Sequence, residues 1–190
     1  MSAAREFEIF WGEISPCDHS VQIYEDDQTF LDALEGFIAG GLRNGDAAIV
    51  IATPTHTASL TNRLSQQGLD LGSAVLSDQL ILLDASETLA RFVRDGWPDE
   101  DLFLQTVRGI LARARIGRRN VRAFGEMVAL LWAQGYNGAT VRLEHLWHQL
   151  CQREAFSLFC AYPRSGFTKD ALESMRDICE VHTRMIRPAS

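Results

Sequence analysis

A run of six apolar residues, Ala47–Ala52 (AAIVIA), constrains the fold of this chain more than any other stretch. Turn-forming residues bound the run, with Asn44-Gly45 before it and Thr53-Pro54 after it. A strand that has no polar face must be covered on both sides, which is the situation of a central strand in a parallel sheet. The run therefore predicts an α/β fold with helices on both faces of the sheet.

Further short apolar runs alternate with segments whose apolar residues recur at helical spacing. The other predicted strands are His19–Tyr24, Gln79–Asp84, Val121–Phe124 and Phe156–Tyr162. Predicted helices include Asp99–Ile116, Ala139–Cys151, a short one from about Ser86 toward Gly96, and a final one from about Lys169 to Arg184. Strands separated by helices predict a three-layer fold around a mostly parallel sheet. We expect one domain over residues 18–190, preceded by a lead-in of residues 1–17.

Composition and charge disfavour several classes of protein. The net charge of -7 disfavours nucleic-acid binding, which depends on neutralising phosphates. No segment reaches the roughly 18 to 20 apolar residues of a membrane helix, and no secretory signal is visible. The four cysteines form no CxxC pair, so we expect reduced thiols and no structural zinc site. We assign no metal ligands and expect no cofactor. A cytoplasmic location is expected. The cysteines are Cys17, Cys151, Cys160 and Cys179.

The segment Val121–Trp132 (VRAFGEMVALLW) joins a strand to a helix through Gly125 and Glu126. Open α/β sheets bind ligands at the carboxyl ends of their strands, where Glu126 is expected to lie. Two structural roles for Glu126 remain open. A carboxylate is favourable in the first turn of a helix, and a buried ion pair with Arg122 or Arg142 would also satisfy it.

Six segments together resemble the MEDS domain, the methanogen/methylotroph DcmR sensory domain. They are His19–Glu25 (HSVQIYE), Gly41–Asp46 (GLRNGD), Asp78–Ala85 (DQLILLDA), Val121–Trp132, Val141–Trp147 (VRLEHLW) and Phe159–Pro163 (FCAYP). The resemblance covers roughly residues 18–167. It implies a sensory module related to the RecA/KaiC-like ATPase fold, of a kind proposed to sense small organic molecules. Such domains occur alone or beside DNA-binding or kinase domains, and we expect a stand-alone member.

The resemblance to an ATPase fold raises the question of nucleotide chemistry. A KaiC-like ATPase would carry GxxxxGK, followed by Ser or Thr, directly after the first strand, so that backbone N–H groups cradle the phosphates. The corresponding segment here is Tyr24–Phe30 (YEDDQTF), which has three carboxylates and neither glycine nor lysine. The carboxylate expected after the second strand is also missing from residues 52–55. We therefore expect no enzymatic activity and assign no catalytic residue.

Six residues are predicted to bind a ligand at the carboxyl edge of the sheet. Glu126, Tyr24, Glu25 and Tyr162 would supply polar contacts, and apolar walls would lie behind them. Ordinary core packing is the competing interpretation for each apolar member. The predicted ligand-binding residues are Tyr24, Glu25, Glu126, Tyr162, Trp132 and Cys160.

Four residues are predicted to have structural or ion-pairing roles. Glu144 would support Arg122 or Arg142, and His19 would lie at the opposite end of the first strand from the ligand. His145 and His148, three residues apart on one helix, resemble a metal-binding pair only weakly, because no HExxH spacing accompanies them. The four structural residues are His19, Arg122, Arg142 and Glu144.

Taken together, these features predict a non-catalytic sensory domain that binds a small organic molecule and signals to a histidine kinase or transcription regulator. Two alternatives stay open. One is a relic nucleotide-binding, ATPase-like enzyme that depends on Glu126. The other is a ligand-free interaction module acting through the arginine-rich residues 113–122. No direct nucleic-acid or membrane contact is expected, and a homodimer is left open.

Overall fold

Six parallel strands form one central sheet in the computed structural model, which describes residues 14–167 and 172–186. Their order across the sheet is β3-β2-β6-β7-β1-β8, and every neighbouring pair is parallel. The predicted α/β class is therefore confirmed, with an all-parallel sheet. The strands are β1 (His19–Tyr24), β2 (Ala47–Ala52), β3 (Leu80–Asp84), β6 (Val121–Gly125), β7 (Ser157–Pro163) and β8 (Arg184–Ile186).

Helices cover both faces of this sheet. The face called here the α1 face carries α1 (Asp27–Arg43), α2 (Pro54–Gln66) and α3 (Leu71–Leu76). The opposite face, the α7 face, carries α4 (Ala85–Ala90), α5 (Glu100–Ala114), α6 (Met127–Ala133), α7 (Asn137–Glu154) and α8 (Leu172–Val181). Among the described residues, none of these helices combines the length and apolar character needed to cross a bilayer.

Strand β2 shows why the sheet is covered on both sides. All six of its residues are at most 2% exposed. Ile49 and Ile51 belong to the apolar core under the α7 face, whereas Ala48 and Val50 belong to the core under the α1 face. Successive side chains of a strand point to opposite faces, so a wholly apolar strand supplies both cores at once.

The predicted helix between Ser86 and Gly96 is wrong in its second half. Helix α4 ends at Ala90, and a two-stranded hairpin follows, made of β4 (Val93–Arg94) and β5 (Trp97–Pro98). Asp95 and Gly96 form its turn with φ of 51° and 76°. An Asp-Gly pair with both φ values positive is the favoured two-residue hairpin turn.

The predicted final helix is also too long. Helix α8 ends at Val181, and the chain continues as strand β8, which pairs in parallel with β1 at the edge of the sheet. Residues 169–171 lie outside the described residues. Because β8 has only three residues, its sequence carries too little periodicity to separate it from the preceding helix.

Candidate functional site

The connections that follow β2 and β6 diverge at the carboxyl edge of the sheet. These strands are neighbours, but β2 leads into α2 on the α1 face and β6 leads into α6 on the α7 face. Such a topological switch point leaves a crevice outside the strand ends, where open α/β sheets place their polar sites. Thr53 follows β2 and Glu126 follows β6, so both residues border this crevice.

Glu126 joins the two connections through three hydrogen bonds. Its backbone N–H donates to the carbonyl of Ile51 at 2.8 Å, and its Oε2 accepts from the backbone N–H of Thr53 at 2.7 Å. Its Oε1 lies 2.7 Å from Nδ1 of His56, in the first turn of α2. The hydrogen bond to Glu126 raises the pKa of the His56 imidazole above its ordinary value, against the opposing effect of burial.

The arginines proposed as partners of Glu126 bind elsewhere. Nε of Arg122 lies 3.0 Å from Asp46, and NH1 donates to the carbonyl of Phe37 on the α1 face. Arg142 pairs with Glu100 at 2.6 Å near the surface of α7. The expectations that Arg122 or Arg142 pairs with Glu126, and that Glu144 supports one of these arginines, are therefore wrong. Arg122 is the second residue of β6, four positions before Glu126 and near the opposite end of the strand.

Aromatic rings line the crevice beside Glu126. The ring of Tyr24 stacks on Phe30 with centroids 4.8 Å apart, and Phe30 meets the His56 ring edge-on at 4.9 Å. Burial raises the pKa of the Tyr24 phenol, and the negative charges of Glu126 and Asp27 add to this effect. Tyr24 and Glu126 therefore share the carboxyl edge, as their positions after β1 and β6 predicted.

The connection from β1 to α1 has no room for a phosphate loop. Strand β1 ends at Tyr24 and α1 begins at Asp27, so only two residues join them. One of these, Asp26, caps the helix by accepting a hydrogen bond from the Thr29 N–H at 2.9 Å. The other, Glu25, is exposed and pairs with Arg164 at 2.6 Å.

An open pocket of about 330 Å³ lies between α4, α6 and the β4–β5 hairpin. Helices α4 and α6 follow β3 and β6, which places the pocket beyond the carboxyl ends of these strands. Helix α6 connects this pocket with the Glu126 crevice, because Glu126 immediately precedes the helix and later residues of the helix line the pocket. The lining residues are Ser86, Leu89, Ala90, Val93, Gly96, Leu130, Leu131, Gln134 and Tyr136.

A second group of polar side chains is buried beneath α7 and α8. Oε2 of Glu144, on α7, lies 3.3 Å from Nε2 of His19, on β1, and 3.6 Å from Sγ of Cys160, on β7. Nε2 of His182, which follows α8, lies 3.5 Å from the same oxygen. The Tyr162 hydroxyl donates a hydrogen bond to Oε1 of Glu144. We call His19, Glu144, Cys160 and His182 the buried cluster.

Burial and charge act in opposite directions within the buried cluster. Burial would raise the pKa of Glu144, but the His182 and His19 imidazoles and the Tyr162 hydroxyl outweigh it and lower the pKa to about 2. Burial lowers the pKa of His182 to about 4. Burial, reinforced by the Glu144 charge, raises the pKa of the Cys160 thiol. Two imidazoles, a thiol and a carboxylate are the side chains that can together hold a transition metal.

The predicted ligand-binding residues do not form one site but divide between the crevice and the region of the buried cluster. Tyr24 and Glu126 both lie at the carboxyl edge, where the Glu126 charge acts on the Tyr24 phenol, and Glu25 follows Tyr24 at the exposed surface. Cys160 belongs to the buried cluster and Tyr162 donates to it, so both point under the α7 face. Trp132 packs near Tyr162, with centroids 6.2 Å apart, and its Nε1–H donates to the carbonyl of Gly166 at 2.6 Å. Ligand contact by these residues stays a prediction.

Two histidines in these sites were missed from the sequence. His56 lies in the first turn of the helix after β2, and the order β2-β6 brings it to Glu126. His182 reaches the buried cluster because β8 pairs with β1, and no sequence pattern indicated β8. His19 was expected to have a structural role at the start of the first strand, and it lies there, fully buried, as a member of the buried cluster.

The arginine-rich segment between α5 and β6 is largely bound to neighbouring elements. Arg113 pairs with Asp78 at 2.6 Å, and Arg115 pairs with Glu154 at 2.8 Å. Arg119 donates to the carbonyl of Ser77 at 2.8 Å. These contacts give the arginines a role in fixing the turn before β6.

The parallel sheet, the acid at its switch point and the adjoining pocket define an α/β domain whose polar site lies at the carboxyl edge. A family model described as MEDS, the MEthanogen/methylotroph, DcmR Sensory domain, matches residues 18–183. The chain belongs to this family of sensory domains, which confirms the resemblance drawn from its motifs. A search of curated proteins finds no match.

Proposed function

We propose that this MEDS domain is a non-catalytic sensor that binds a small organic molecule at the carboxyl side of its sheet. The observation that carries the proposal is the pocket of about 330 Å³ between α4, α6 and the hairpin. Pockets for small molecules have volumes of roughly 300 to 1,000 Å³ and combine apolar walls with a few polar groups. The sensory family and the position beyond β3 and β6 both support this site.

The lining favours a neutral ligand. Leu89, Val93 and Leu130 offer apolar surface, whereas Ser86, Gln134 and Tyr136 carry uncharged hydrogen-bonding groups. No charged side chain is among the described lining residues. A buried ligand charge would lack a partner here and would bind poorly. The proposed ligand class is therefore a small organic molecule with an apolar body and one or two hydroxyl, carbonyl or amide groups.

Helix α6 provides a route from the pocket to the crevice. A ligand against Leu130 and Gln134 would fix the position of α6, whose N-terminal neighbour Glu126 holds Thr53 and His56 of the adjacent connection. A shift of α6 would change these hydrogen bonds and the surface around them. We propose that a cytoplasmic regulatory protein, such as a histidine kinase or a transcription regulator, reads that surface.

A variant that fills the pocket tests the proposal. Ala90 lines the pocket on the exposed side of α4, and Ala112 is an exposed alanine on α5 that does not line it. A thermal-shift screen of neutral small organic compounds should give stabilising hits, and calorimetry should measure their affinity. Ala90→Trp should weaken binding at least about tenfold, which corresponds to about 1.4 kcal/mol. Ala112→Trp should bind as the wild type does.

The same experiment distinguishes the pocket from the Glu126 crevice. Equal binding by the Ala90→Trp and wild-type proteins would remove the pocket as the site. If Tyr24→Phe then weakened binding, direct contact in the crevice, as the sequence predicted, would take its place. A screen without any stabilising compound would argue for a ligand-free interaction module.

A further inference from the structure

We propose that the buried cluster of His19, Glu144, Cys160 and His182 binds a divalent transition-metal ion, with Zn²⁺ the best match. This site lies under the α7 face and is separate from the proposed small-molecule pocket. One potential ligand atom from each residue lies within 4.8 Å of the others. The four residues come from β1, α7, β7 and the segment between α8 and β8.

Four of the six distances between potential ligand atoms of the buried cluster match the edges of a tetrahedron around a zinc ion, and all six are within 4.8 Å. Zinc bonds of about 2.0 Å to N or O and about 2.3 Å to S, at tetrahedral angles, place ligand atoms about 3.3 Å apart, or about 3.5 Å where sulfur is one of them. Oε2 of Glu144 lies 3.3 Å from His19 and 3.5 Å from His182. Sγ of Cys160 lies 3.5 Å from His19 and 3.6 Å from Glu144.

The hydrogen bond made by Nδ1 of His182 leaves the lone pair of Nε2 facing Glu144. Its Nδ1 lies 2.5 Å from the carbonyl oxygen of Ile178, so Nδ1 carries the proton and donates. In the neutral ring, Nε2 is then an acceptor, yet it lies 3.5 Å from Oε2 of Glu144, another acceptor. Among the described residues, Nε2 of His182 has no hydrogen-bond partner. A cation between the two atoms would turn this repulsion into two ligand bonds.

The surrounding contacts resemble the outer shell of a metal site. Metal-binding histidines usually donate their second N–H to a carbonyl or carboxylate, and metal-binding carboxylates are themselves hydrogen-bonded. His182 donates to the carbonyl of Ile178 in this way, and Oε1 of Glu144 accepts from the Tyr162 hydroxyl. These contacts fix the orientation of two of the four proposed ligands.

The donor set selects the class of metal. Two imidazole nitrogens, one sulfur and one carboxylate oxygen suit a borderline ion such as Zn²⁺, whereas Mg²⁺ and Ca²⁺ prefer oxygen ligands alone. Binding would displace the proton of the Cys160 thiol into solvent, leaving a thiolate–metal bond. The +2 charge of the ion would then be balanced by one thiolate and one carboxylate. Four protein ligands leave no open position, as in structural zinc sites.

Metal titration of the full chain tests the proposal. Tag-free protein stripped with a chelator should bind one equivalent of Zn²⁺, with a rise in Tm and release of about one proton per ion. Co²⁺ in place of Zn²⁺ should give a thiolate-to-cobalt charge-transfer band. Cys160→Ser should abolish this band. Cys151→Ser is the matched control, because Cys151 is also buried but donates to the carbonyl of Phe156 outside the cluster.

A second variant separates metal binding from folding. Loss of a residue that only hydrogen-bonds to a metal ligand weakens metal binding about 10- to 100-fold. His182→Gln removes a proposed ligand and should therefore weaken Zn²⁺ binding by more than this. Circular dichroism reports whether the variant folds. Absence of stoichiometric binding by the wild type would overturn the proposal and leave a buried hydrogen-bonded His–Glu cluster. An unchanged cobalt spectrum in Cys160→Ser would equally overturn it. Neither result would bear on the small-molecule pocket.

Discussion

Glu126 occupies a position where its two carboxylate oxygens serve different partners. Oε2 accepts from the Thr53 N–H and Oε1 contacts the His56 ring, so each oxygen is held by the connection after β2. The side chain is only 9% exposed. A carboxylate satisfied in this way fixes the geometry of the crevice. Glu126 therefore acts first as the link between two connections of the sheet.

The pair of His56 and Glu126 predicts a pH-dependent stability. The folded-state pKa of His56 lies above its ordinary value of 6.5. The stabilisation is therefore fully present below pH 6.5 and is lost as the pH rises through the raised folded-state pKa. A hydrogen bond to a charged group contributes about 1.5 to 3 kcal/mol. His56→Gln should lower the free energy of unfolding by about 1.5 to 3 kcal/mol at pH 6 and by less at pH 9. Urea denaturation at the two pH values measures this difference.

Exposed His145 on α7 supplies the control for this pH dependence. His145→Gln should leave the pH dependence of the wild-type unfolding free energy in place. If the unfolding free energies of His56→Gln and the wild type differed by the same amount at pH 6 and pH 9, the imidazolium–carboxylate pair would not contribute as described. Glu126→Gln should reproduce the pH effect of His56→Gln, because either variant removes the charged pair.

At the scale of elements, the β4–β5 hairpin forms one wall of the pocket through Val93 and Gly96. Gly96 has a φ of 76°, and a Cβ at this position would come within 2.9 Å of the Tyr136 ring. Gly45 has a similar φ of 80°, but a Cβ there would meet nothing within 4 Å. The two glycines therefore differ in contacts while sharing the same backbone requirement.

Alanine substitutions at these glycines separate backbone strain from packing. Gly45→Ala should destabilise the domain by about 1 to 2 kcal/mol, the cost of a left-handed conformation for a residue with a Cβ. Gly96→Ala should cost more and should weaken ligand binding, because the Tyr136 ring, which lines the pocket, must shift to make room for the Cβ. Urea denaturation and calorimetry measure the two effects. Equal destabilisation of the two variants would show that the Tyr136 contact carries no strain.

The elements most visible in the sequence were those with strong periodicity or wholly apolar runs. Strand β2 and the helices α5 and α7 were predicted because packing on the sheet imposes a long, regular apolar pattern. The hairpin was missed although Asp95-Gly96 is a strong turn signal, because its strands have two residues each. Strand β8 was missed because pairing with β1, rather than its own pattern, makes it a strand.

Across the whole molecule, the two faces of the sheet differ in chemistry. The α7 face carries both the proposed pocket and the buried cluster, whereas the α1 face is built around an apolar core crossed by Arg122. The Tyr24–Glu126 crevice could be predicted because Tyr24 ends β1 and Glu126 follows β6 in a parallel sheet. The buried cluster could not, because its residues are up to 163 positions apart in sequence, from His19 to His182, and only the strand order brings them together.

The architecture at the end of β1 predicts that the domain does not bind nucleoside triphosphates. The two-residue connection to α1 offers no glycine-rich loop, and Glu25, Asp26 and Asp27 would repel a triphosphate. Millimolar Mg-ATP or Mg-GTP should leave the Tm unchanged, and no phosphate should be released. Glu126→Gln should give the same two results. Stabilisation by ATP with phosphate release that disappears in Glu126→Gln would instead identify a relic nucleoside triphosphatase, with Glu126 as its acid.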